Sequence, residues 1–266
     1  MNKGQKYETL IVQQEAGCAT IWLHRPRRRN AINGLMADEL SEAIQLLARD
    51  AQVRVVVIRG RGDHFCAGGD LEWMGSDPPE GVASPAYILA DLFSRLYAFP
   101  KPLIGVAHGS AMGGAMGLLA VCDYVIAQKD ASFAFSEVTL GIVPATISPF
   151  VVKRIGEFRA RQLMLSGRRI KADEAMAFGL VEEIADAEST GSRLAEIAGG
   201  FAANAPEAMM ACKQLIRHVS GHDLNNDLME HVARVLDEIR KSEEAKEGFA
   251  AFLEKRKPRW NESQTP

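Results

Sequence analysis

Two β-branched runs, each ending in a glycine-rich turn, set the narrowest limit on how this chain can fold. VRVVVIRG at Val53–Gly60 leads into GRGDHFCAGGD, and PLIGVAHG at Pro102–Gly109 leads into SAMGGAMGLLAVCD. Runs of this length and composition read as strands covered on both faces. The small residues after them permit a tight turn into a helix. Tyr124–Gln128 is a third such run. Strand, turn and helix thus repeat, which predicts an α/β fold whose parallel strands open into functional loops at their C-terminal ends.

The flanking segments fit that frame. Alternating runs around Glu8–Gln14 and Ala19–Leu23, separated by Ala16-Gly17, predict a hairpin. It ends at a basic loop, RPRRR, Arg25–Arg29. Leu35, Leu40, Ile44 and Leu47 recur at helical spacing between Gly34 and Asp50. The Gly-, Pro- and Ser-rich stretch Gly75–Pro85 predicts a mobile surface loop before a helix at Tyr87–Phe99. After residue 200 only helical patterns remain, including Leu224–Ile239 and Glu247–Arg256.

Composition removes several classes. With 266 residues, 47% of them apolar, and a formal charge of −3, the chain reads as one soluble globular protein with a sizeable core. It lacks a membrane-length apolar run and a secretory leader pattern, which predicts a cytoplasmic address. Cys18, Cys66, Cys122 and Cys212 are too far apart for a ligand cluster and are expected to be reduced thiols. The charge argues against general nucleic-acid binding, and RPRRR reads as a solvated loop or a local anion contact. No P-loop, nucleophile elbow or zinc-protease motif is present. His218 and His222 have helical spacing but no third ligand, so no metal is expected.

The chemistry gathers in two turns and one acid. HFCAGGDL (His64–Leu71) presents small residues around Ala67, and GSAMGGAMG (Gly109–Gly117) opens a helix. Two amides converging from such turns would stabilise an enolate oxygen developing on a thioester. Glu137, in FAFSEVTLGIVPA, supplies a carboxylate. The same glycines also suit plain helix–strand packing.

Taken in order, HRPRRRNAIN, HFCAGGDL, HGSAMGGAMGLLAVCDYVIA, FAFSEVTLGIVPA, SGRRIKADEAMAFGLVEEI and EGFAAFLEKRKP resemble the crotonase, or enoyl-CoA hydratase/isomerase, superfamily over nearly the whole chain. The resemblance implies a repeated ββα spiral core over residues 1–200 and a helical oligomerisation region over 201–266, building trimers or dimers of trimers. It further implies an oxyanion hole from the amides of Ala67 and Gly114, with Glu137 as a catalytic glutamate. CoA contacts are implied at Arg25, Arg28, Ala67, Gly68, Gly69, Asp70, Leu71 and, from a neighbouring subunit, Lys255. CoA enters as part of the substrate, and no separate cofactor is implied.

One position departs from the pattern of the well-known hydratases. Gly117 stands where they carry a second glutamate, an exchange expected to remove a charge and leave space. GGxxGL together with SEVxLGIVPATISPF resembles bacterial hydratases of 3-substituted glutaconyl-CoA, such as the 3-methylglutaconyl ester of leucine catabolism and the isohexenylglutaconyl ester of acyclic terpene catabolism. Dehydratases of hydroxymethylglutaryl groups share much of this pattern. A single-glutamate 3,2-enoyl-CoA isomerase and an RNA-binding homologue are the other readings. Val143–Phe150, with Thr146 and Ser148, is the expected acyl lining, and Trp73-Met74 an apolar wall.

Overall fold

Ala16 and Gly17 take left-handed backbone angles, φ 45° and 77°, in the computed structural model, which describes residues 7–264. That turn folds β1 (Leu10–Glu15) back on β2 (Cys18–Leu23) as the expected antiparallel hairpin. From β2 the sheet continues in parallel through β3 (Val55–Gly60), β4 (Leu103–Ala107), β6 (Tyr124–Gln128) and β9 (Glu183–Ala185).

Side-chain alternation divides β3 between two apolar clusters. Val56 and Ile58 enter the main core, shared with Leu40 and Ile44 of α1 (Gly34–Arg49) and Leu92 and Phe93 of α3 (Pro85–Tyr97). Val55 and Val57 face the other way, onto Ala198 and Ala202 of α8 (Thr190–Ala202). The sheet is therefore covered on both sides, the reason its strands are continuous apolar runs rather than alternating ones.

A second sheet joins β5 (Ser110–Met112), β7 (Ser132–Ala134) and β8 (Ile170–Lys171). Strands of two or three residues are too short to show a period. Their insertion turns the expected strand–turn–helix units into ββα units: β4–β5–α4 (Gly114–Ala120) and β6–β7–α5 (Ser148–Ile155). The start of α3 follows a side-chain cap. Ser84 accepts from Tyr87 N and Pro85 fills the first position of α3, which therefore begins two residues before Tyr87.

Downstream lie α9 (Pro206–Val219), α10 (Asn226–Ile239) and α11 (Glu243–Leu253). The expected division at residue 200 falls inside α8. The chain end is tied back to the core: Arg54 donates to the carbonyls of Asn204 (2.6 Å) and Trp260 (3.2 Å), and the Trp260 indole donates to the Ala203 carbonyl.

Asn30 connects the basic loop to the segment after β3. It is fully buried with φ +56°. Its Nδ2 faces the carbonyls of Arg61 (2.9 Å), His64 (2.8 Å) and Phe65 (3.1 Å), while its Oδ1 accepts from Arg25 N. Two N–H bonds serve three carbonyls, so one is shared. Asn30→Ala is expected to lower the unfolding free energy by about 3 kcal/mol, because several buried carbonyls lose their donor. A urea midpoint equal to the parent's would refute this.

Candidate active site

The two glycine turns lie edge to edge. Cys66 N donates to the Ser110 carbonyl (3.2 Å) and Met112 N to the Cys66 carbonyl (3.1 Å), a parallel bridge at the exit of β3 and the start of β5. Beyond it the backbones come closer. A methyl group built on Gly68, φ +94°, would sit 2.6 Å from the Met112 carbonyl oxygen and 3.0 Å from Gly114 N. One built on Gly114 would sit 3.4 Å from Gly69 N. At Gly68 only glycine permits this approach.

Two amides are left without acceptors there. Ile32 N donates to the Gly68 carbonyl and Asp70 N to the Ile32 carbonyl, leaving the Gly69 N–H between them unused among the described residues. Gly114 is the first residue of α4, and its N–H is likewise unused. The sequence expectation for the first amide is corrected at this point. Ala67 N donates to the Arg29 carbonyl at 2.9 Å, so it is committed to the fold, and the Gly69 amide is the one left without an acceptor among the described residues. Gly69 was legible only as part of the loop. The pairing with Ile32 that aims its amide is a long-range contact without a sequence signal.

Glu137 opens a 3-10 turn, Glu137–Leu140, directly after β7. A methyl group on Gly113 would lie 3.3 Å from Glu137 Oε1 and 3.9 Å from Oε2, which places the carboxyl beside the residue preceding the free Gly114 amide. Oε2 is buried and has no hydrogen-bond partner. Burial pushes the carboxyl above the ordinary glutamate value, and its own backbone N–H pulls it partly back. The result is a desolvated acid/base group next to two free donors, an arrangement able to move a proton while holding charge on a nearby oxygen.

The space expected at Gly117 is filled. A methyl group there would overlap Ile147 Cγ2, and would lie 2.9 Å from Ile147 Cβ and 3.0 Å from Phe93 Cε1. Both side chains are buried. The second-glutamate position is thus an apolar plug and not a vacancy.

The remaining expected residues divide between local structure and surface. Arg25 donates to Asp70 Oδ2 (2.9 Å) and to the Ala31 carbonyl (2.5 Å), and Asp70 also caps α2 (Leu71–Met74) through Glu72 N. This pair clamps the basic loop to the glycine turn through Arg25 Nη1. Arg28 is exposed and meets Glu72, at 3.2 Å. Leu71 is 58% exposed at the loop's edge. Lys255 follows α11 in the left-handed region, φ 56°, and is exposed. Met74 overlies Gly69 Cα, while Trp73 packs its indole nitrogen over Gly34. Ser148 Oγ donates to the Ala145 carbonyl, and Thr146 is half-buried. His218 stacks on His222 and His231 with ring centroids 4.0 Å apart, and no group of metal-ligating residues is found among the described residues. No helix is long and apolar enough to cross a membrane.

The model of the enoyl-CoA hydratase/isomerase family matches residues 13–264. The chain belongs to that family. It is 36% identical over 254 residues to a putative enoyl-CoA hydratase of Thermus thermophilus, covering 94% of this chain and 100% of the relative. It is 32% identical over 250 residues to the 2,3-dehydroadipyl-CoA hydratase of Escherichia coli, covering 94% and 97%. Among solved structures, an enoyl-CoA hydratase from Shewanella pealeana superposes with a TM-score of 0.90 at 33% identity, covering 96% of this chain and 97% of the other. Pseudomonas aeruginosa AtuE gives 0.88 at 37% identity, covering 95% and 99%. The fold is the family's mixed α/β core with C-terminal helices, and the protein is an enoyl-CoA hydratase-type enzyme of acyl-CoA thioesters.

Gly117→Glu is expected to destabilise the protein by about 3 kcal/mol or more, since it overpacks the plug and buries a charge. Urea unfolding checks this. A variant as stable as the parent would mean that Ile147 and Phe93 yield freely.

Proposed function

We propose that the enzyme adds water across the 2,3 double bond of a 3-substituted glutaconyl-CoA, with Glu137 as its one acid/base group. The observation that carries the single-carboxylate part is the plug at Gly117: Ile147 and Phe93 occupy the space a second glutamate would need. The Gly69 and Gly114 amides hold the thioester oxygen. Glu137 takes a proton from water as the water oxygen bonds to C3, and the electron pair of the double bond moves to the thioester oxygen as an enolate. The protonated Glu137 then delivers that proton to C2, which restores the carbonyl and the free carboxylate.

A carboxylated acyl group suits such a site, because the apolar wall at Gly117 sets no second negative charge beside it. The name of the Escherichia coli relative denotes a thioester that carries a carboxylate at its far end. Arg28, exposed on the basic loop, is suited to CoA phosphates. Phe249, Phe252 and Leu253 lie exposed on α11, just before Lys255, which supports assembly into trimers or dimers of trimers through this region.

Loss of enoyl-thioester absorbance tests the reading, with 3-methylglutaconyl-CoA, an isohexenylglutaconyl-CoA and crotonyl-CoA as substrates. Faster hydration of either glutaconyl ester is expected. Crotonyl-CoA turning over faster than both would remove the carboxylated substrate. One carboxylate also suffices to shift a double bond, so migration in a 3-enoyl-CoA without any hydration would favour the 3,2-isomerase.

Glu137→Gln is expected to lower kcat by about 10²–10⁴-fold. The parent's kcat/KM should fall on the acid side with a midpoint above the ordinary glutamate range, the direction in which burial moves this group. The same shift has a sign for stability. A carboxyl raised in the folded state loses stabilisation as pH rises through its folded pKa, so the glutamine variant should melt no lower than the parent at pH 8. Near-normal turnover in this variant would remove Glu137 from the mechanism.

A further inference from the structure

Arg59 and Arg61 carry positive charge on a face of the sheet that the active site does not use. Along β3, Arg59 shares its side with Val55 and Val57, which pack toward α8. Phe93 and Ile147, the plug beside the active site, belong to the core on the opposite side with Val56 and Ile58. Trp22 stands beside Arg59 in the β2–β3 register. Its indole is fixed by donation to Gln13 Oε1 on β1, 2.9 Å.

Both guanidinium groups lie over that one ring. Arg59 Cζ is 4.6 Å and Arg61 Cζ 4.1 Å from the Trp22 ring centroid. The Nε of each is buried and has no acceptor. Neither side chain has an ion-pair or hydrogen-bond partner among the described residues. By contrast, three half-buried arginines meet carboxylates, Arg154 with Glu182, Arg25 with Asp70 and Arg193 with Glu183, and Arg54 meets two backbone carbonyls. Burial first, and the neighbouring Arg61 charge second, push Arg59 below the ordinary guanidinium value.

Trp22 supplies cation–π attraction, but it cannot accept the buried N–H bonds or neutralise two like charges. An anion can do both. A carboxylate brings one charge and two oxygens, whereas a phosphoryl group brings close to two charges at neutral pH and three or more oxygens able to meet two forks at once. We propose that Arg59, Arg61 and Trp22 form a second ligand site, on the outer face of the sheet, that binds a phosphate dianion, either free or as a phosphate monoester.

Titration of the full chain with inorganic phosphate and with AMP, at constant ionic strength in chloride, tests this by calorimetry and tryptophan fluorescence. Saturable binding with quenching is expected, weakened at least about tenfold in Arg61→Gln and in Arg59→Gln. Arg61→Lys, which keeps the charge and loses the fork, should fall between. Tighter binding of inorganic phosphate identifies the free ion as the ligand, and tighter binding of AMP identifies a monoester. Melting temperatures close to the parent's establish that the variants fold. Absence of saturable binding to the parent overturns the proposal, as does unaltered affinity in the two glutamine variants. A raised KM for the enoyl-CoA substrate in Arg61→Gln would assign these arginines to CoA instead. A lowered sedimenting mass would assign them to an acidic side chain of a second copy.

Discussion

Two turns of backbone touch at Gly68–Gly69 and Gly113–Gly114, and the rest of the site is arranged around that contact. A single Cβ on Gly68 would meet the Met112 carbonyl and the Gly114 amide, so the approach depends on the absence of side chains. The hydrogen bonds on either side, from Ile32 N to the Gly68 carbonyl and from Asp70 N to the Ile32 carbonyl, leave the Gly69 amide unused. Rigid placement of unpaired donors stores electrostatic work in the folded backbone, and no reorganisation is then required when charge develops. Much of the surrounding structure serves this placement: Asn30 from below, and the Arg25–Asp70 pair along the loop.

The carboxylate beside those donors is tuned by exclusion. Among the described residues no cationic side chain holds Glu137 ionised. Its Oε2 is orphaned, and burial raises its proton affinity. A group in that condition exchanges protons more readily near neutral pH than an ordinary surface glutamate does.

Much of the architecture could be read from the chain, because its main strands are long enough to show composition and its helices long enough to show period. β6 falls on the expected residues, and α1 ends one residue short of the expectation. The three-stranded second sheet escaped, since β5, β7 and β8 hold three residues or fewer. At the site, motif order brought Glu137 and Gly114 forward, while the choice between Ala67 and Gly69 turned on which amide the Arg29 carbonyl takes, a contact across almost forty residues. The filling of Gly117 was illegible for the same reason: Ile147 is thirty positions away in sequence and reaches α4 only through the fold.

That interlock between Gly117 and Ile147 also constrains how the chain can change. Residue 117 can enlarge only after residue 147 has shrunk, yet shrinking residue 147 first opens a void against Phe93. The two positions are therefore epistatic, and neither single step is neutral. Packing alone therefore opposes the gain of a side chain at residue 117, whatever the advantage of a second acid in the reaction itself.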